Sequence, residues 1–161
     1  APKDSGKTTT LILTTLQKLK CEMVGNAPRA IVIVEDREKA LELYDAFIKH
    51  TKYNSLRVYA SYEQLHIDMQ KSEIFEGIDI LISTPKTMNK LMSLNGVSTS
   101  QLMIFSIDDA EFLVQKSSYT AIMSITQSIN KCQFVLYSEK MHPILKRFKS
   151  YFMEHSKIVT I

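Results

Sequence analysis

The chain has 161 residues, 45% of them hydrophobic and 23% charged, with 20 basic against 17 acidic side chains and a net charge of +3. That length suits one domain with a sizeable core, and the lack of any run of about 18 apolar residues excludes a membrane-spanning helix. The mild basic balance permits a nucleic-acid partner without demanding one.

In chain order, APKDSGKTTTLIL comes first. Gly6, Lys7 and Thr8 read as the tail of a phosphate-binding loop that opens a helix. RAIVIV (Arg29 to Val34) follows as a continuous apolar, β-branched run. Ala40, Leu41, Tyr44, Phe47 and Ile48 then fall on one helical face. LRVYA (Leu56 to Ala60) is a shorter strand candidate, and IDILIS (Ile78 to Ser83) and LMIFSI (Leu102 to Ile107) are longer ones. Asn95-Gly96 is the loop tip between these last two. Tyr119, Ile122, Met123, Thr126 and Ile129 make a second helical stripe. QFVLYS (Gln133 to Ser138) is a further strand. Ile144, Leu145, Phe148, Tyr151 and Phe152 make a third stripe, with His142-Pro143 as its start. KIVTI (Lys157 to Ile161) is a last strand candidate.

Continuous rather than alternating apolarity means strands buried on both faces. Strand and helix alternate, so the expected fold is an α/β sandwich, a parallel sheet with helices on both faces and right-handed crossovers. No strand is expected before the loop at Gly6. The chain is expected to form a single domain over residues 1–161.

Ligands of such sheets sit outside the carboxyl ends of the strands. Two acids, Asp108 and Asp109, stand directly after one strand. There the first can hold a metal and the second can polarise an attacking water. With Lys7 as a point charge on the β- and γ-phosphates and the Thr8 hydroxyl on Mg²⁺, these are the parts of a P-loop nucleotide site. Simpler readings stand beside this one. GKT can be an ordinary helix start with a solvated lysine, and the acid pair can be a helix cap. Asp4 is the odd member of the loop. Its carboxylate either occupies the loop as an internal phosphate mimic, pairing with backbone N–H groups, Lys3 or Lys7, or points to solvent.

The rest of the polar inventory is plainer. Cys21 and Cys132 are far apart and read as reduced thiols of an intracellular protein. The four histidines show no ligand spacing, and the methionines fit core filling. Lys146, Arg147, Lys149 and Lys157 read as a solvated face, with an accessory nucleic-acid contact as the sharper alternative. No signal peptide is visible, although Ala1 reads as a cut end.

Six segments taken together resemble the first RecA-like domain of a DEAD-box RNA helicase, over nearly the whole chain. APKDSGKT is similar to the family's AxTGSGKT loop and REKA (Arg37 to Ala40) to the end of PTRELA. YAS (Tyr59 to Ser61) stands where the family has YGG, and STPKT (Ser83 to Thr87) resembles its TPGR segment. DDAE (Asp108 to Glu111) takes the place of DEAD, and SEK (Ser138 to Lys140) that of SAT.

The resemblance implies ATP-dependent binding and remodelling of RNA. It assigns Ser5, Gly6, Lys7, Thr8, Asp108 and Asp109 to ATP, with Thr8 and Asp108 on Mg²⁺ and Asp108 and Asp109 in catalysis. Arg37, Thr84 and Pro85 fall to the RNA backbone, and Ser138 to coupling the two ligands. It also implies an upstream adenine-binding glutamine motif and a second RecA-like domain, both outside this sequence. The expected location is intracellular, cytoplasmic or nuclear, with no membrane contact. Departures are many: Lys3-Asp4 for Thr-Gly, Asp109 for the catalytic Glu, Ala60-Ser61 for a glycine pair, Thr87 for an arginine, Glu139-Lys140 for Ala-Thr. They keep open an alternative, a catalytically degraded pseudo-helicase that serves as a protein or RNA scaffold. An unrelated P-loop motor acting on DNA fits the loop but not the other five segments.

Overall fold

The structure, a computed structural model, describes residues 1–160. Helix α1 (Lys7–Lys18) leads to strand β1 (Ala30–Ile33), and α2 (Arg37–Thr51) leads to β2 (Val58–Ser61). Then come α3 (Ile67–Glu76), β3 (Ile80–Ser83), α4 (Pro85–Ser93) and β4 (Ile104–Ile107). A 3₁₀ turn (Ala110–Val114), α5 (Lys116–Gln127), β5 (Gln133–Leu136) and α6 (Pro143–Tyr151) complete the order.

The five strands make one parallel sheet in the order β2-β3-β1-β4-β5. Strands β1, β3 and β4 are buried at every position, as their unbroken apolar runs require. The two-residue period divides their side chains between two cores. Ile31, Ile33, Leu81, Phe105 and Ile107 pack under Met88, Leu91, Ile122, Ile125, Leu145 and Phe148 of α4, α5 and α6. Ala30, Val32, Ile80, Ile82 and Ile104 pack under Leu11, Ile12, Leu16, Ala40, Leu43 and Phe47 of α1 and α2. The expected α/β sandwich with helices on both faces is the observed one, and no strand precedes α1 among the described residues.

Local chemistry starts the helices, at His142-Pro143 as expected and at two further caps. The Asp36 carboxylate accepts the Lys39 N–H at 3.0 Å and starts α2. Thr84 and Pro85 start α4, and the His142 ring accepts the Ile144 N–H at 3.2 Å ahead of Pro143. Asn95 closes α4 at φ 52°, with the Gly96 N–H returning to the Leu91 carbonyl at 2.7 Å, the left-handed stop that Asn tolerates.

Three expectations differ. Ile48 and Tyr151 lie at the margins of their helical stripes and are exposed. The candidate strand Lys157 to Ile161 is not extended into the sheet over residues 157–160, and Ile158 and Val159 are exposed. Ile161 lies outside the described residues. A β-prone segment becomes a strand only when a neighbour takes its backbone groups, and this one lies against none.

Asp79, immediately before β3, is fully buried. It receives the Arg57 Nε (3.0 Å), Nη2 (3.3 Å) and backbone N–H (2.9 Å), the Arg29 Nη2 (3.0 Å) and the Val24 N–H (3.2 Å). Burial by itself would raise its pKa. The hydrogen bonds from Arg57, Arg29 and Val24 outweigh burial and hold the carboxyl below its ordinary value. The stabilisation is therefore complete above the unfolded carboxyl value of about 4 and fades as pH falls through the lowered folded value. Asp79→Ala leaves the buried Arg29 guanidinium uncompensated and is expected to cost about 3–5 kcal/mol in urea unfolding. The stability gap between the original chain and Asp79→Asn should narrow from pH 5 towards pH 2. A gap independent of pH would show that the carboxylate charge contributes nothing.

Candidate nucleotide site at the strand ends

Because β1, β4 and β5 are adjacent, the segments after them converge at one edge. Between them lies a cleft of about 440 Å³ lined by Glu35, Lys39, Asp108, Asp109, Glu111 and Glu139, with Val34, Phe112, Val114 and Gln115 as its apolar and amide wall. The floor is held by the sheet ladder. The Asp108 N–H donates to the Ile33 carbonyl (3.0 Å) and the Ala110 N–H to the Tyr137 carbonyl (2.8 Å).

The loop ahead of α1 bends through two left-handed residues. Asp4 (φ 57°) and Gly6 (φ 84°) both take left-handed backbone, and the Thr10 N–H closes on the Gly6 carbonyl at 2.8 Å. Glycine adopts that conformation freely; Asp is among the few other residues that tolerate it. Ser5, Gly6 and Thr8 are exposed. Lys7 is not a solvated lysine. Its Nζ donates to the carbonyls of Ala1 (3.1 Å) and Pro2 (2.7 Å). Asp4 is exposed and takes part in none of the ion pairs among the described residues. The carboxylate is not an internal phosphate mimic; the solvent-facing alternative is the observed one.

The acid pair divides into two environments. Asp108 Oδ1 is buried without a hydrogen-bond partner. Burial, then the neighbouring Asp109 carboxylate, push Asp108 up to about 6, against the weaker pull of the Asp109 N–H, Lys39 and Lys7. Asp109 stands at φ 45° at the head of the 3₁₀ turn and caps it with no side-chain bond. The helix-cap reading of the pair is thus not realised. A buried carboxylate oxygen without a donor is the kind of atom a cation satisfies. No cluster of three or more His, Cys, Asp or Glu among the described residues forms a complete metal cage. That donor set suits Mg²⁺, which takes one or two protein ligands and completes its shell with phosphate and water.

Two residues after Asp109, Glu111 reaches across to β5. It accepts the Ser138 hydroxyl at 2.8 Å, the Lys140 N–H at 3.3 Å and the Glu139 N–H. Burial would raise its pKa, but the bonds from Ser138, Glu139 and Lys140 leave it lowered. The segment after β4 is therefore tied to the segment after β5.

Residues 1–145 match the family model described as DEAD/DEAH box helicase. The chain belongs to the DEAD/DEAH box helicase family. It is 26% identical to the ATP-dependent RNA helicase dbp3 of Emericella nidulans over 166 residues, covering all of this chain and 34% of that protein. It is 25% identical to the ATP-dependent RNA helicase DeaD of Buchnera aphidicola subsp. Baizongia pistaciae, covering all of this chain and 27% of that protein. The chain thus spans roughly a third or less of the relatives it matches. In fold it is similar to a DEAD box protein from Methanococcus jannaschii, with a TM-score of 0.86 over 94% of this chain and 41% of that one at 18% identity. It is also similar to S. cerevisiae dbp5 in a complex with nup159, gle1, IP6 and ADP, with a TM-score of 0.80 over 98% of this chain and 41% of that one at 19% identity.

In this DEAD-box chain the remaining predicted residues sit on the β1-β3-β2 side of the same edge. Arg37 is exposed, its guanidinium carbon 5.5 Å from the centre of the Tyr62 ring. Thr84 and Pro85 are buried at the start of α4, where Thr84 Oγ1 accepts the Thr87 N–H at 3.4 Å. Ala60 and Ser61 are buried too, and the Ser61 hydroxyl donates to Ser83 Oγ at 2.8 Å. Arg37 is thus the one predicted RNA residue whose side chain stands in the open.

Glu111 and Lys39 escaped the sequence reading although both lie inside quoted motifs, DDAE and REKA. The available signal was strand order: with β4 beside β5, an acid just past one strand faces the N–H groups past the other. Charge-assisted hydrogen bonds of this kind are worth about 1.5–3 kcal/mol. Glu111→Gln should therefore speed amide hydrogen exchange at Glu139 and Lys140 by about tenfold or more, with exchange in β1 unchanged. Unchanged protection at residues 139–140 would show that Glu111 does not hold the segment.

Proposed function

We propose that this chain is the ATP- and RNA-binding RecA-like domain of a divergent DEAD-box RNA helicase. The observation that carries this reading is the partnerless buried oxygen of Asp108 within electrostatic reach of Lys7, beside the loop of Ser5, Gly6, Lys7 and Thr8. The N–H groups at the start of α1 would take the phosphates, and Lys7 would leave the Ala1 and Pro2 carbonyls to meet them. Asp108 and the Thr8 hydroxyl would hold Mg²⁺, which neutralises charge on the phosphate oxygens when bound. Asp109 would orient the attacking water with a carboxylate one methylene shorter than the family's Glu.

RNA would lie along the exposed Arg37 and the N-terminus of α4, which Thr84 and Pro85 build rather than contact by side chain. Such backbone gripping is sequence-independent and salt-dependent. Ser138, through Glu111, would link the nucleotide cleft to the segment after β5. A second RecA-like domain would complete the ATP site. Protein partners and an intracellular location fit the lineage, and no helix among the described residues is long and apolar enough to cross a membrane. A second reading, a scaffold without ATP chemistry, draws on the shortened Asp109 carboxylate and on Lys7 being engaged by its own loop.

Binding of a fluorescent ATP analogue with Mg²⁺ to the complete protein tests the first reading. Lys7→Ala should weaken it at least about tenfold, by loss of a charged phosphate contact. No binding by the original protein, or no effect of Lys7→Ala, would sink the nucleotide assignment. The two readings separate on RNA-stimulated phosphate release. Asp109→Glu should raise it by on the order of 10²-fold if reach limits the chemistry; no release from either form favours the scaffold.

The exposure of Asp4 sets the size of its effect. A carboxylate in water repels a charge about 4 Å away by only about 1 kcal/mol. Asp4→Asn is therefore expected to tighten Mg-ATP binding a few-fold at low salt, with the gain shrinking towards 0.15 M. Asp4→Gly should add little more. A salt-independent gain of a hundredfold would show that the carboxylate turns inward on the loop.

A further inference from the structure

The cleft beside Asp108 is lined by five carboxylates, Glu35, Asp108, Asp109, Glu111 and Glu139, and by one cationic side chain, Lys39. A polyphosphate entering it meets a strong excess of like charge. Glu111 is already satisfied by Ser138 and two backbone N–H groups, but the other four acids carry no such set of donors. Lys7, the cation of the loop, is bound to the Ala1 and Pro2 carbonyls and is not among the residues lining the cleft.

Lys39 is placed to answer that excess. It sits in the first turn of α2, its N–H fixed by the Asp36 cap. α2 follows β1, and β1 lies next to β4, so the side chain reaches the cleft from the strand adjacent to Asp108. Among the described residues the ammonium is held only by Glu42, at 3.7 Å on the same helix, and the side chain is 49% exposed. An exposed i,i+3 pair of that kind is weak, so it yields readily to a phosphate.

The geometry points to Lys39 as a second phosphate-binding cation of this domain, contacting the terminal phosphate of a nucleoside triphosphate seated on the Gly6–Lys7–Thr8 loop. This rests on the proposed nucleotide reading of the cleft. It makes the domain a discriminator between tri- and diphosphate. The Lys39 ammonium meets the outermost phosphate, the one that lies nearest Asp108 and Asp109. A diphosphate does not extend that far. The site thereby offsets part of its own acidity with a residue supplied by α2 rather than by the loop.

The test is equilibrium binding of Mg-ATP and Mg-ADP analogues and of a single-stranded RNA to the complete protein, its Lys39→Met variant and its Lys39→Arg variant. Thermal denaturation confirms that each variant folds. Lys39→Met is expected to weaken Mg-ATP about tenfold or more while leaving Mg-ADP within about threefold. Lys39→Arg, which keeps the charge, should restore most of the loss. Equal affinity of the original protein and Lys39→Met for both nucleotides would overturn the inference and leave Lys39 as the surface partner of Glu42. Equal losses for ATP and ADP would overturn the terminal-phosphate contact, and a loss confined to RNA would move Lys39 to the other ligand. In each of these outcomes the original protein still binds nucleotide, so the functional reading survives. Failure of the original protein to bind either nucleotide overturns both.

Discussion

Everything at the functional edge depends on where the strands begin. The Asp79 carboxylate, with no exposure to solvent, gathers Arg29 before β1 and Arg57 before β2 at the entry of β3. Parallel strands carry evenly spaced, slanted hydrogen bonds that tolerate sliding in register unless something pins them. A buried charge with five donors on two neighbouring segments is such a pin. A one-residue slip would strand the ion pair in the interior and turn each strand's side chains to the wrong core. With the entries fixed, strands of four residues end in line, and the polar segments that follow them meet in one cleft.

The opposite edge is built from few groups under more than one demand. Asp108 Oδ1 is buried without a hydrogen-bond donor where a cation would satisfy it, and burial together with the Asp109 carboxylate raises the pKa of Asp108. Asp4 and Asp109 both hold left-handed backbone, so the loop and the turn keep their shape with aspartate in conformations that favour glycine. Glu111 ties the turn after β4 to the segment after β5 through Ser138. The turn that carries Asp109 and Glu111 is thus tied to the exit of the next strand, a physical path for the coupling proposed for Ser138.

Two sides of the edge differ in character. On the β4-β5 side, carboxylates and Lys39 line an open cleft. On the β3-β2 side, Ser61, Ser83 and Thr84 turn their hydroxyls into bonds between adjacent strand ends and the start of α4. The residues there shape backbone, and the open cation is Arg37 against Tyr62. Side chains that replace glycine in this region are absorbed into the sheet rather than projected into the groove.

Much of this was legible in the residues alone. Unbroken runs such as AIVI and ILIS can be satisfied only between two layers, so burial on both faces, parallel pairing and helices on either side follow from local composition. Gly6-Lys7-Thr8 and Asp108-Asp109 are the sequence basis of the proposed nucleotide site, because few residue types can cradle phosphate or hold Mg²⁺. Tertiary structure alone decided which strand neighbours which, and with it the Glu111–Ser138 link across 27 positions, the Asp79 clamp across 22 and 50, and the entry of Lys39 into the cleft. It also decided that Asp4 faces water and that residues 157–160 add no strand. Periodicity reports which side of an element is apolar, a property of near neighbours in the chain. Pairing between distant segments is set by the packing of the whole sheet, and no local pattern encodes it.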